Sequence, residues 1–286
     1  MNSRSTQQHT LLRQGNHGRG FTDHNLFDQL GSLDPFMNLD DFRMPQPFFP
    51  LHPHAGFSVM TYVFEDSEGA FINRDSLGDH SRIEPGGLHW TQAGRGVQHE
   101  EIPERPGEDC HGLQMWVNHA DRDRHVEPRA WNLKAHEVPE VRPNAGARVR
   151  VLVGEALGAR APYEPVTPIA LLNVHLEPGV NLYLPAPVDH TALALVIRGA
   201  GMFGRDAVEL ETHAAATFNR DGDTLHVQAG SDGLEVLIGT GQPYNEPFVF
   251  GGPFVGSNQQ DILTARARFQ RGEMVLLEPS AAFGRR

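Results

Sequence analysis

The sequence predicts an all-β protein of two tandem barrels followed by one short C-terminal helix. Three observations carry this prediction. The chain has 286 residues, more than one hydrophobic core usually organises, so two domains follow. It holds 30 glycines and 21 prolines, the punctuation of many short strands joined by tight turns. Helical periodicity is scarce, while runs such as Phe57-Ser-Val-Met-Thr-Tyr-Val-Phe64 are β-branched and aromatic with little polar content, as in a strand covered on both faces.

Taken in order, residues 1–19 show no hydrophobic pattern and are expected to be disordered. Residues 20–135 form the first barrel. Within it, Leu88-His-Trp-Thr-Gln92 and Val97-Gln-His-Glu-Glu101 flank Ala93-Gly-Arg-Gly96, whose glycines suit a hairpin turn. An even-numbered turn sets Trp90 opposite His99 and Leu88 opposite Glu101, so that Trp90 walls the site and His89 points the other way. Residues 136–148, beginning His136-Glu-Val-Pro-Glu-Val-Arg-Pro143, read as a proline-punctuated linker. Residues 149–241 form a second barrel, with strands at 170–176, 191–197 and 234–238 and turns at Glu177-Pro-Gly179 and Arg198-Gly-Ala-Gly201. In the tail, 242–286, Ser257 caps a helix through Asp261-Ile-Leu-Thr-Ala-Arg-Ala-Arg-Phe269, with Gly272 beyond its end. Ile262, Ala265 and Phe269 share one face of that helix, which packs on a barrel.

Two motifs carry chemistry. His52-Pro53-His54 and His99-Glu100-Glu101 each place two potential ligands one residue apart. In a strand, side chains two apart share a face, so each pair can aim both groups at one point. Three imidazoles and a carboxylate suit iron, manganese, nickel, copper or zinc, and are too rich in nitrogen for calcium or magnesium. Structural zinc sites are usually closed and cysteine-bearing, and this set has no sulfur. Four protein ligands leave two positions of an octahedral ion open, enough for substrate and dioxygen together or for two waters. Counting by twos from His54 puts Ser58, Met60 and Tyr62 on the ligand face, provided no bulge intervenes at Gly56. The second barrel's His175, His190, His213 and His226 form no such pair, so no second metal is expected there.

A formal net charge of −12, with no lysine or arginine run, argues against direct nucleic-acid binding, which needs a basic face. The single cysteine, Cys110, excludes an internal disulfide. The polar stretch from Met1 to Gly20 lacks the apolar core of a signal peptide, and no apolar run reaches membrane-spanning length. A soluble cytoplasmic protein is expected.

His52-Pro-His-Ala-Gly-Phe57, Glu84-Pro-Gly-Gly-Leu-His-Trp-Thr-Gln-Ala-Gly-Arg-Gly-Val-Gln-His-Glu-Glu-Ile-Pro103 and Gly112-Leu-Gln-Met-Trp-Val-Asn118 closely resemble the pirin family of the cupin superfamily. So do Leu33-Asp-Pro-Phe36 with Leu39-Asp-Asp-Phe42 upstream, and Asn245-Glu-Pro247 with Gly252-Pro-Phe-Val255 near the end. The resemblance runs over nearly the whole chain. It implies a bicupin with one metal, usually Fe(II), in the first barrel, and motif by motif it puts the ligands on His52, His54, His99 and Glu101. Through members that cleave flavonols such as quercetin, it also implies a 2,3-dioxygenase acting on a flavonol-like aromatic substrate with dioxygen. Glu101 would then be both ligand and general base. Trp90, Gln114, Trp116, Phe36 and Phe42 are the candidate contacts to a planar substrate. The alternative is a non-catalytic, iron-dependent redox-sensing regulator that binds a protein partner. Two departures from the family's pattern bear on chemistry. Ala55 stands where a basic residue is frequent, which weakens attraction for anions. His89 stands where glutamine is common.

Overall fold

The structure, a computed structural model, describes residues 2–283; Met1 and residues 284–286, the outermost parts of the two flanking segments, lie outside them. The chain divides into two compact units whose segments interleave along the sequence. One gathers residues 2–13, 24–36 and 138–243, the other residues 14–23, 37–137 and 244–283.

The C-terminal unit is built on a nine-stranded antiparallel sheet whose long members are Ala147–Val153, Ile169–Leu176, Thr191–Phe203 and Thr224–Gly241. Leu172 lies opposite Ile238, and Ile238 opposite Ala194. Alternate residues therefore stack into one buried aliphatic cluster with Val174, Leu184, Val196, Leu225 and Val236. The glycines expected to make a turn at 198–201 instead interrupt the register of a continuous strand, between Val196 and Arg198 and between Gly199 and Gly201. They act as bulges that bend it.

Two further expectations are corrected here. Thr6–Leu11, inside the segment read as disordered, pairs antiparallel with Ala214–Phe218, Leu11 opposite Ala214. Its residues are mostly exposed on both faces, so backbone hydrogen bonds rather than burial hold it, and no hydrophobic alternation announces it. Within the expected linker, Glu140–Val141 joins the same sheet, Glu140 opposite Arg150.

The N-terminal unit contains two sheets. The larger runs in the order Arg129–Leu133, Leu88–Gln92, Phe57–Val63, Cys110–Asn118, Phe36–Met44, Phe21–Asn25, Arg13–Gly18. The smaller runs His52–His54, Val97–Pro103, Phe71–Asp75, His80–Ile83. Leu88–Gln92 and Val97–Pro103 thus belong to different sheets, and residues 93–96 carry the chain from one to the other rather than closing a hairpin. Gly94 sits at φ +48, and a Cβ there would stand 2.1 Å from the Val126 carbonyl oxygen. A glycine that suits a hairpin suits this corner equally, which is why the sequence misleads.

The helix spans Gln259–Gln270 and is capped by Asn258, one residue beyond the expected cap. Asn258 Oδ1 accepts from the amides of Gln260 (2.8 Å) and Asp261 (3.2 Å), while Asp261 Oδ2 accepts from the Ser257 amide at 2.9 Å. Ile262, with Ala265 and Phe269, packs against Ala55, Phe254 and Met274. Among the described residues, no helix is long and apolar enough to cross a membrane. Cys110 is buried, and burial pushes its thiol up to about 12, where it is inert as a nucleophile.

Candidate metal centre

Adjacent strands of the smaller sheet assemble the histidines. Antiparallel pairing sets His99 opposite His52 and Val97 opposite His54, so His52, His54, His99 and Glu101 share one face. His52 Nε2 lies 3.0 Å from His54 Nε2 and 3.2 Å from His99 Nε2. Metal–nitrogen bonds of about 2.1 Å meeting at right angles hold their donors about 3.0 Å apart. Two rings are oriented from behind, His52 Nδ1 donating to the Pro50 carbonyl at 2.9 Å and His54 Nδ1 to that of Pro253 at 3.3 Å. A carbonyl only accepts, so each Nδ1 carries the proton and each Nε2 presents a lone pair. Burial pulls the pKa of His52 down and those of His54 and His99 well down, leaving neutral imidazoles, the form that binds metal. Converging lone pairs with no proton between them fit a divalent transition ion.

Glu101 approaches from two positions along the same strand. The three histidine donors gather within 4.8 Å of one another without it. Its Oε2 accepts from Thr61 Oγ1 at 2.8 Å and Gln114 Nε2 at 3.3 Å. Burial raises its pKa to about 7 against the pull of those two hydrogen bonds. The group is therefore a carboxylate that can hold or release a proton near neutrality.

His52 and His54 open on a cavity of about 300 Å³, the size of a small-molecule site. Its walls are Phe42, Phe48, Phe49, Phe71 and Trp116, with Glu101 and Gln114 among the polar groups. The Trp116 ring lies 5.6 Å from that of His54 and 4.6 Å from that of Phe57. Phe42 stands edge-on to Phe71 at 5.5 Å. Phe48 and Phe49 escaped the sequence reading; their signal is a pair of aromatics between Pro47 and Pro50, just ahead of the first histidine.

Of the five candidate substrate contacts, Phe42, Gln114 and Trp116 line this cavity, and Phe36 and Trp90 do not. Phe36 groups with the C-terminal unit, its ring so close to Gly239 that an added Cβ would stand 3.1 Å from it. Trp90 lies across from Met60 and Trp131, whereas His89 lies across from Thr61, whose hydroxyl reaches Glu101. The inward residue of that strand is thus His89, the reverse of the hairpin expectation, because the chain changes sheets at residues 93–96. The same reversal occurs at Gly56, at φ +88, where a Cβ would stand 2.0 Å from the Val255 carbonyl oxygen. Past it the inward side chains are Phe57, Val59 and Thr61, not Ser58, Met60 and Tyr62.

The chain matches the Pirin family model over residues 6–117 and that of the Pirin C-terminal cupin domain over residues 171–275. It is 36% identical over 248 residues to the Pirin-like protein of Solanum lycopersicum, covering 86% of this chain and 83% of that one. It is 35% identical over 250 residues to Pirin of Homo sapiens, covering 86% and 84%. Among solved structures, quercetin 2,3-dioxygenase from Acinetobacter baumannii is similar at a TM-score of 0.85 and 28% identity, covering 97% of this chain and 100% of that one. The bacterial pirin YhhW from Escherichia coli, in complex with nickel(II), shares the fold at a TM-score of 0.65 and 20% identity, covering 82% and 100%. With both halves of the family pattern present in order and the relatives matched over most of their length, the chain belongs to the pirin family, and its two units are cupin domains.

Proposed function

We propose that this pirin is a flavonol-cleaving 2,3-dioxygenase of the quercetinase type, holding one non-heme divalent metal, Fe(II) in the first instance, through His52, His54, His99 and Glu101. The observation that carries this is the meeting of three neutral imidazoles with a near-neutral carboxyl at the wall of an aromatic cavity. The likeness to a quercetin 2,3-dioxygenase over the full chain supports it.

A divalent ion bound here supplies Lewis acidity and open positions for substrate and dioxygen. Phe42, Phe48, Phe49 and Trp116 take the faces and edges of a planar substrate and keep water from it. Glu101 accepts the proton of the flavonol 3-hydroxyl, its pKa of about 7 matching a base that works at neutral pH. Thr61 and Gln114 keep that carboxylate aimed into the cavity. Both oxygen atoms of dioxygen enter the ring-opened ester, and one ring carbon leaves as carbon monoxide.

The test is turnover of quercetin by chain reconstituted separately with iron, manganese, nickel, copper and zinc, followed as loss of flavonol absorbance with equimolar oxygen uptake. Turnover with at least one redox-active ion is expected. Fully loaded chain that consumes neither substrate would overturn the enzymatic reading and favour the partner-binding regulator.

A further inference from the structure

We propose a second divalent-cation site in the N-terminal barrel, formed by Asp75, Asp79 and His89, on the opposite side of His99 from His52. The strand carrying His99 is flanked by two others, and His99 faces His52 on one and Asp75 on the other. Asp75 Oδ1 accepts from the amides of Leu77 (2.8 Å) and Asp79 (3.0 Å), folding residues 75–79 back so that the Asp79 carboxylate comes beside it. Asn73 Nδ2 donates to Asp79 Oδ2 at 2.8 Å and fixes it. His89, 1% exposed, arrives from the other sheet with Nδ1 4.0 Å from Asp79 Oδ2. One ligand atom from each of the three lies within 4.8 Å of the other two. Metal bonds of about 2.1 Å span donor separations up to about 4.2 Å, so small side-chain shifts suffice.

The unsatisfied atoms here point to a positive ligand. Asp75 Oδ2 and the amide oxygen of Asn73 are buried without a hydrogen bond, and the His89 ring has Asn132 as its side-chain hydrogen-bonding partner. Asn132 lies directly across the sheet from His89. Buried acceptors facing one another are stabilised by a cation among them, which satisfies several at once. Two carboxylates and one imidazole, with amide oxygens adjacent, make a harder donor set than three histidines and suit Mn(II) or Zn(II). Asp79, its side chain 24% exposed, leaves a route inward from solvent. None of these residues belongs to the ligand set proposed above.

The experiment strips full-length chain with chelator, reloads it with Mn(II) or Zn(II), removes free ion and counts bound metal by elemental analysis. Wild type is expected to hold two equivalents. His89→Gln, Asp79→Asn and His54→Ala should each hold one, and the His54→Ala/His89→Gln double variant none. Asp79→Asn keeps the shape and an oxygen to accept from Asn73 Nδ2, while its amide must donate to Ser81 Oγ where the carboxylate accepted, so loss of one equivalent at unchanged circular dichroism and unchanged denaturant midpoint reports a lost ligand rather than misfolding. Two equivalents retained in both His89→Gln and Asp79→Asn would overturn the site. So would a single wild-type equivalent that disappears in His54→Ala and survives His89→Gln. A single equivalent lost in His89→Gln but kept in His54→Ala would uphold this site and sink the three-histidine centre instead.

Discussion

The two cupin domains share an architecture and differ in what fills them. In the C-terminal barrel, alternate strand residues build one continuous aliphatic cluster that includes Val174, Leu184, Val196, Val236 and Ile238. In the N-terminal barrel, groups of buried apolar side chains gather around Phe42 and Phe71, around Phe57 and Val59, and around Ala55 and Ile262. The same barrel also buries His54, His99, Glu101, Thr61, Asp75 and His89. Strand pairing closes a barrel through backbone hydrogen bonds whatever its interior contains, so one fold tolerates both fillings. The polar filling has a stricter requirement, because each buried donor and acceptor needs a partner. Residues 244–283 supply several: the Pro253 carbonyl faces His54, and the carbonyls of Met274 and Val275 accept from Gln98 Nε2 at 2.9 and 3.0 Å.

The largest expected effect comes from emptying the polar interior. His99→Ala should lose the three-histidine equivalent of metal and all flavonol turnover, measured by elemental analysis and oxygen uptake. A full equivalent retained would remove His99 from the ligand set. The converse substitution, Leu184→Ala in the aliphatic barrel, should destabilise by about 2–5 kcal/mol in urea titration and leave metal content unchanged. Metal loss at unchanged stability would break the division of labour between the barrels.

Glu101→Gln keeps shape and an oxygen ligand but removes charge and basicity. Turnover should fall about 100-fold or more, which is about 2.7 kcal/mol in the barrier, with metal partly retained. Undiminished turnover would exclude Glu101 as the base.

The smallest effect concerns a polar cluster outside the metal centre. His111 Nδ1 lies 2.9 Å from Asp66 Oδ1 and Nε2 2.9 Å from Asp41 Oδ1. Burial pulls its pKa down, but the hydrogen bonds and charges of the two aspartates outweigh it and the value is raised. A raised folded value means the contribution is complete below the unfolded pKa of about 6.5 and fades as pH climbs through the folded one. His111→Gln should therefore cost about 1–2 kcal/mol at pH 6 and less at pH 9, read from denaturant midpoints. An equal cost at both pH values would mean that the charged form adds nothing.

What is legible in the sequence follows the same contrast. A spacing of two makes a ligand pair on any strand, so His52 with His54 and His99 with Glu101 can be read without knowing which sheet holds them. Which neighbouring side chains face inward cannot, because Gly56 and the corner at 93–96 each reset the count between sheets. That reset exchanges Trp90 for His89 and Ser58 for Thr61. Two barrels are visible from composition and length, whereas the pairing of Thr6–Leu11 with Ala214–Phe218 joins segments some two hundred positions apart and leaves no local pattern. The Gly272 stop and the apolar face of Ile262, Ala265 and Phe269 are local, and the helix they announce is present.

The most direct measurement is anomalous diffraction at the metal edge from crystals of the reconstituted chain. The expected result is a strong peak within about 2.1 Å of the Nε2 atoms of His52, His54 and His99, with the Glu101 carboxylate in reach of it. A loaded crystal whose anomalous peaks all lie elsewhere, with those three nitrogens bare, would contradict the central claim.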